Sequence, residues 1–420
     1  MIREIRTGGP VDGVFRVPGS KSLTNRALVC AALAQGESTI RNASDSDDSA
    51  FMANGLNQLG VLVRRSGTDM IVGGTGGRLF APKFPIPVGN AGTTLRFLLS
   101  VAAVAEGTTS LQGDERMAAR PNDDLLSALK QQGIQIDWHP GTSRFDVRGG
   151  ALAGGSVEVR SSRSSQFLSS LMLVAPCALR DTTLRVVEDL ASAPYVLLTT
   201  EVMRAFGVEA KKGEAGTFTV RSGQRYVPAE YEVEPDASGA SYPMAAAAIA
   251  GGRVFLPGVR EDSLQGDARF TDVLRAMGCD IRAHDRGLTV LREGALRGTE
   301  VDMNGMPDVV PTLVAVALFA EGGTRILHVA HLRYKESDRG EGLAAELRKL
   351  GADVRMNGET MEVNPVPLRG ARLDVHDDHR LAMSFALIGL RVPGVEVENP
   401  ECVRKSFPEF WTEFDRLRPA

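Results

Sequence analysis

Cysteine, histidine, aromatic residues and excess positive charge are all scarce in this chain, and each shortage removes a class of function. The four cysteines, Cys30, Cys177, Cys279 and Cys402, lie far apart and form no CxxC pair. They are read as reduced, mostly buried thiols, and no disulfide framework is expected. Six histidines show no ligand spacing, so no metal is implied. With 48 basic and 52 acidic residues the formal charge is −4, which gives no general affinity for nucleic acid. The longest apolar run, Val309 to Ala320, is too short for a bilayer and is broken by Pro311 and Thr312. The N-terminal "MIREIRTGG" carries charges where a signal peptide would place its apolar core. A cytoplasmic protein with no membrane or nucleic-acid partner is expected.

What is present is a recurring phrase. A polar Gly/Ser/Asp-rich turn leads into a helix of small apolar residues, then a turn and a short β-like run. Examples are "NRALVCAALAQGESTIRNAS", "LRFLLSVAAVAEGTTSLQGD" and "SYPMAAAAIAGGRVFLPG". The helix starts fall near residues 26, 96, 168, 241, 311 and 380, roughly seventy apart, giving six units. A second helix type is amphipathic and stops at a glycine before a strand, at Gly60, Gly133, Gly207, Gly278 and Gly351. Each unit therefore reads as a βαβαββ-like module.

A helix such as "MAAAAIA", apolar all round, must be buried on every side. The expected fold is α/β and inside-out, with sheets wrapped around buried parallel helices, and six units divide most simply as three plus three. The segment Arg225 to Asp236, with two prolines and four acidic residues, lies at the midpoint and is read as the crossing between domains.

Parallel buried helices would place their N-termini on one face, each offering free N–H groups and about half a positive charge. That makes an anion site without net positive charge on the chain. The starts suit this: "PGSKSLTNR", "GNAGTTLR" and "SSRSSQF" bring Lys21, Arg26, Arg96 and Arg163. The first is not a nucleotide P-loop, because Ser20 separates Gly19 from Lys21. Taken singly, such Ser and Gly residues are most often plain N-caps. In the second half, "NGMPDVVP", "HLRYKESDR" and "HDDHR" add Asp308, Arg333, Lys335, Glu336, Asp338, Arg339, Asp377, Asp378, His379 and Arg380. Bases and carboxylates set against anion-binding groups suit acid–base chemistry on anionic substrates.

The segments "PGSKSLTNRALVCAAL", "GNAGTTLRFL", "DERMAARP", "SSQFLSSLML", "SAPYVLLT", "YKESDR", "DDHRLAMSFAL" and "KSFPEFW", in this order, resemble the 5-enolpyruvylshikimate-3-phosphate synthase family over essentially the whole chain. The resemblance implies a two-domain inside-out α/β barrel, with 20–234 as one lobe and 1–19 plus 235–420 as the other, and an active site in the interdomain cleft. It implies a monomer that needs no cofactor and acts on phosphoenolpyruvate and shikimate 3-phosphate. By motif, Lys21, Gly92, Arg116, Gln166, Arg339, Arg380 and Lys405 match phosphoenolpyruvate contacts. Lys21, Ser22, Arg26, Ser164, Ser165, Gln166, Ser192, Tyr195, Asp308 and Lys335 match contacts to shikimate 3-phosphate. Asp308, Glu336 and Lys21 match the groups that move protons. Asn90, His331 and His379 stand within the same motifs without an assigned role.

Two residues depart from the family pattern: His331 stands where Asn is usual, and Phe97 where Pro is common. The sister family acting on UDP-N-acetylglucosamine typically carries a cysteine before its Arg-Pro pair. The corresponding loop here, "EGTTSLQGDERMAARP", has none.

Overall fold

Helices without a polar face set the architecture. The computed structural model describes residues 1–214 and 216–417. It contains six such helices: α1 (Lys21–Leu33), α2 (Gly92–Ala102), α3 (Gln166–Val174), α4 (Ala237–Ala250), α5 (Val310–Ala317) and α6 (His379–Gly389). Every residue of α2, α5 and α6 is buried, and the others expose only one or two terminal residues. Runs such as Ala245 to Ala248 keep side chains small, so neighbouring helices approach closely. The chain forms two compact units, Gly19–Glu234, and Met1–Pro18 together with the chain from Pro235 onward. In the first, α1, α2 and α3 pack on one another; in the second, α4, α5 and α6 do so.

Five four-stranded sheets share one pattern, in which the first pair of strands is parallel and the rest antiparallel. In the first sheet Glu230–Glu232 runs parallel to Gln35–Arg41, with Glu230 opposite Thr39. That strand then pairs antiparallel with Asp69–Thr75, which pairs with Leu62–Ser66. The segment read as an interdomain crossing thus contributes a strand to the Gly19–Glu234 unit, and the division falls after Glu234. The other two sheets of that unit begin with Ile86–Gly89 beside Gly107–Gly113 and Gly155–Val159 beside Thr182–Val186. In the second unit Val11–Val14 joins Gly252–Pro257, and Glu300–Asp302 joins Thr324–Leu327.

The sixth module is shorter. Ile2–Glu4 pairs antiparallel with Glu396–Glu398, which runs parallel to Arg372–Leu373. No glycine-stopped amphipathic helix follows α6. Instead Phe410–Arg416 packs aromatic rings beneath α4, with Phe410 centred 5.6 Å from Tyr242 and 5.8 Å from Phe407. Phe407, Phe410, Trp411 and Phe414 form a run of ring contacts here.

The five amphipathic helices, Asp47–Gln58, Asp123–Gln131, Pro194–Ala205, Phe270–Ala276 and Arg339–Lys349, lie between inner helices in the chain. Just beyond each stands one of the glycines at 60, 133, 207, 278 and 351, with φ between +82° and +102°. This left-handed conformation ends the helix and turns the chain into the next strand, and only glycine adopts it without steric cost. Among the described residues, no helix is long and apolar enough to cross a membrane.

Candidate active site

The polar starts of the inner helices converge within each unit. In the Gly19–Glu234 unit, Lys21 at the start of α1 donates to Asp48 at 2.8 Å. The backbone carbonyl of Asp48 accepts from the Thr94 hydroxyl of α2 at 2.8 Å. Arg96, also on α2, reaches Gln166 at 2.6 Å and Ser164 at 3.4 Å at the start of α3, and stacks on the Phe167 ring. Three helix starts are thereby tied together. The residues before them, Ser20, Ala91 and Ser165, make no side-chain capping bond. The Ser164 hydroxyl instead accepts from the Gln166 N–H at 3.3 Å, so the starts of α1 and α2, and not that of α3, lack a side-chain cap among the described residues.

Arg26 is almost fully buried. Its guanidinium donates to Thr199 at 2.8 Å, to the Ser22 carbonyl at 2.8 Å and to the Tyr195 carbonyl at 3.1 Å. Burial lowers its pKa to about 10, with nearby Tyr195 opposing, so it stays cationic at neutral pH. It lies 5.3 Å from the centre of the Phe97 ring, which supports a buried cation. Ser192 is buried with φ +54°, directly before the helix that carries Tyr195. Arg163 is drawn to Asp123 and Asp124, both at 2.5 Å, and braces the neighbouring helix.

The motif that supplies Arg116 holds a second arginine. The guanidinium beside Gly92 belongs to Arg120, since a Cβ added at Gly92 would lie 2.6 Å from its terminal nitrogen. Arg120 also donates to the carbonyl and side chain of Asn90 at 2.9 and 3.1 Å. Arg116 sits on the preceding short helix, Glu115–Ala118, and is half-buried. The motif holds two arginines four residues apart, and only the fold selects between them.

In the second unit Arg339 is the hub. Its side chain is wholly buried and donates to Asp378 at 2.8 Å, Asp308 at 3.0 Å and Glu336 at 2.6 Å. Arg380, in the first turn of α6, donates to Asp308 at 2.7 Å, and Lys335 lies 3.8 Å from the same carboxylate. Three carboxylates and three cations therefore meet before α5 and α6. Burial works against ionisation of Asp308, but Arg380, Lys335 and Arg339 outweigh it and hold the carboxyl well below its ordinary range. Burial likewise lowers the pKa of Lys335, and Asp308 partly restores it. Asp378 also caps α6, accepting from the backbone N–H of Arg380 at 2.9 Å.

His331 is buried and its Nε2 has no hydrogen-bond partner among the described residues. Burial, then the charge of Lys335, lowers its pKa to about 3, so the imidazole is neutral across the physiological range. His379 opens α6 with its ring buried 3.8 Å from Asp378. Lys405 ends the turn Pro400–Lys405, which packs against α6.

Asp48, Arg120 and Asp378 were given no role from sequence. The acid-rich run "SDSDDSA" hides Asp48 among solvated-looking neighbours, and its pairing with Lys21 is purely tertiary.

These features can be set beside known proteins. The family model described as EPSP synthase (3-phosphoshikimate 1-carboxyvinyltransferase) matches residues 5–414. The 3-phosphoshikimate 1-carboxyvinyltransferase of Syntrophobacter fumaroxidans is 42% identical over 420 residues, covering 98% of this chain and 99% of its own. That of Trichormus variabilis is 40% identical over 412 residues, covering 97% of each. Among solved structures, EPSP synthase from Acinetobacter baumannii matches with a TM-score of 0.83 at 25% identity, over 99% of this chain and 98% of that one. The chain belongs to the EPSP synthase (3-phosphoshikimate 1-carboxyvinyltransferase) family, and it is a transferase.

Proposed function

We propose that this enzyme transfers the carboxyvinyl group of phosphoenolpyruvate to the 5-hydroxyl of shikimate 3-phosphate and releases phosphate. It does so as a cytoplasmic monomer, in the shikimate pathway that leads to chorismate and the aromatic amino acids. The observation that carries this function is the presence of two features: joined helix starts, those of α1 and α2 without a side-chain cap among the described residues, furnished with Lys21, Arg96 and Arg120, and a charge-balanced cluster around Asp308 and Arg339. The first suits anions and the second suits proton transfer beside anions.

In the addition step, the hydroxyl oxygen attacks the central carbon of phosphoenolpyruvate while its methylene carbon gains a proton. Asp308 takes the hydroxyl proton, and Glu336 or Lys21 supplies the other. In the elimination step the methyl group of the tetrahedral intermediate returns a proton, the bond from carbon to the phosphate oxygen breaks, and phosphate leaves with the electron pair. Arg380, Lys335 and Arg339 hold Asp308 ionised before substrate arrives. Anionic groups of the substrates compete for these cations, and their own charge raises the basicity of Asp308. The carboxylate thus becomes an effective base only when there is a hydroxyl to deprotonate. Phosphoenolpyruvate is assigned to Lys21, Gly92, Arg120, Gln166, Arg339, Arg380 and Lys405, with Arg120 replacing Arg116. Shikimate 3-phosphate is assigned to Ser22, Arg26, Ser164, Ser165, Ser192, Tyr195 and Lys335, with neutral His331 beside Lys335 as a further hydrogen-bonding group.

Gly92→Ala tests the anion grip. The added Cβ displaces the Arg120 guanidinium, the far end of a flexible side chain, so fold stability should change little. The KM for phosphoenolpyruvate should rise about tenfold or more, a loss of at least roughly 1.4 kcal/mol. Because glyphosate is expected to inhibit by occupying the same grip, its inhibition constant should rise as well. Steady-state kinetics with a thermal melt check both. An unchanged KM would remove Arg120 and Gly92 from the phosphoenolpyruvate site.

A further inference from the structure

A buried carboxyl behind Asp308 has no part in the reaction as assigned. Asp267 lies on the turn Gly266–Arg269, which packs against the start of α4 and against the turn Pro307–Val309 that bears Asp308. Gln265 fastens this turn, accepting from the N–H of Ala237 at 3.2 Å and donating to the Pro235 carbonyl at 2.8 Å. Asp267 is 2% exposed, and the Ser238 hydroxyl donates to one of its oxygens. The charges around it are Asp308 on its own turn, Arg380 on α6 and Asp236 before α4. Tyr242 on α4 senses Arg380 as well. Arg269 and Asp272 pair with each other at 2.6 Å on the solvent side. Burial, and next the negative charge of Asp308, raise the pKa of Asp267 to about 7, against the opposing pull of Arg380 and Ser238.

We propose that Asp267 is a positioning residue for anion capture: as a neutral acid it leaves the Arg380 guanidinium to Asp308 and an incoming anion, and on losing its proton it draws that guanidinium back. This role presupposes the phosphoenolpyruvate grip assigned above to Arg380. Only a proton moves, from the carboxyl to solvent. A ligand anion beside Arg380 adds negative charge near Asp267 and favours its protonated form, so binding and proton uptake are linked. Where Asp267 is otherwise ionised, affinity falls by up to about tenfold per pH unit.

The test is the KM for phosphoenolpyruvate at saturating shikimate 3-phosphate, measured at pH 7.5 and 8.5. Both values lie above the second ionisation of a phosphate monoester, at about 6, so the substrate's own charge is constant. In the wild type KM should rise between these values by a factor approaching ten. Asp267→Asn keeps an acceptor for Ser238 and mimics the neutral acid; its KM should be the same at both pH values and lie a few-fold below the wild-type pH 7.5 value, about fourfold by the same linkage. Asp267→Ala, which empties the space, should also lose the pH dependence, whatever its stability. An equal rise in Asp267→Asn, or no rise in the wild type, overturns the proposal.

Calorimetry with inorganic phosphate as the probe, in two buffers of different ionisation enthalpy at pH 7.5, gives an independent reading. Inorganic phosphate itself titrates close to this pH, so the reading is the difference between the two proteins: greater net proton uptake by the wild type than by Asp267→Asn is expected, and equal proton exchange in the two contradicts the role. If the substrate pair is not turned over at all, the proposed function fails while this calorimetric comparison still decides the role of Asp267.

Discussion

Asp308→Asn is expected to lower turnover by about 10²–10⁴-fold while shikimate 3-phosphate still binds. The substitution keeps the shape of the side chain and one oxygen for Arg339 or Arg380, but removes the basic lone pair that would accept the hydroxyl proton. The loss should appear in kcat more than in KM, because no anion-binding cation is deleted. Two pairings of Asp308, at 3.0 Å to Arg339 and 2.7 Å to Arg380, are weakened at the same time. A melt should therefore accompany the kinetics. Near-normal turnover in this variant removes Asp308 from proton transfer and passes that work to Glu336 or Lys21.

Arg339→Ala and Arg380→Ala should differ sharply, although both arginines belong to one motif set for the same anion. Arg339 has no exposed side-chain surface and joins Asp308, Glu336 and Asp378. Its removal leaves two buried carboxylates, Glu336 and Asp378, and the half-buried Asp308 short of a partner, at a cost of about 3–5 kcal/mol. For a unit of this size that lowers the melting temperature by roughly 10 °C. Arg380 keeps a slightly exposed side chain, and its loss leaves Asp308 still held by Arg339 and Lys335. Arg380→Ala should therefore retain most of its stability and lose at least tenfold in affinity for phosphoenolpyruvate. Equal losses of melting temperature in the two variants would contradict the distinction between hub and grip.

The sequence carried much of this fold because its signals were of unusual kinds. All-apolar helices rich in alanine have only one place to go, and the glycines at 60, 133, 207, 278 and 351 mark the helix stops by a conformation other residues avoid. The sixth module was counted from its helix, but the make-up of its sheet was not legible, because strand pairing between Ile2–Glu4 and Glu396–Glu398 spans nearly the whole chain and leaves no local trace. Charge pairing was hidden for the same reason. Nothing local in "SDSDDSA" says that Asp48 is the buried partner of Lys21, or in "HDDHR" that Asp378 both caps α6 and holds Arg339. Arg116 and Arg120 are equal in composition and differ only in which one the fold brings to Gly92. Asp267 reads as an ordinary polar turn residue, and it is the fold that buries it and sets Asp308 beside it, which together raise its pKa.

The most direct measurement is incubation of the purified enzyme with phosphoenolpyruvate and shikimate 3-phosphate, following inorganic phosphate and the carboxyvinyl ether product together. Phosphate should appear one-for-one with the ether, and only when both substrates are present. Phosphoenolpyruvate left unconsumed, or hydrolysed equally fast without shikimate 3-phosphate, would contradict enolpyruvyl transfer by these residues.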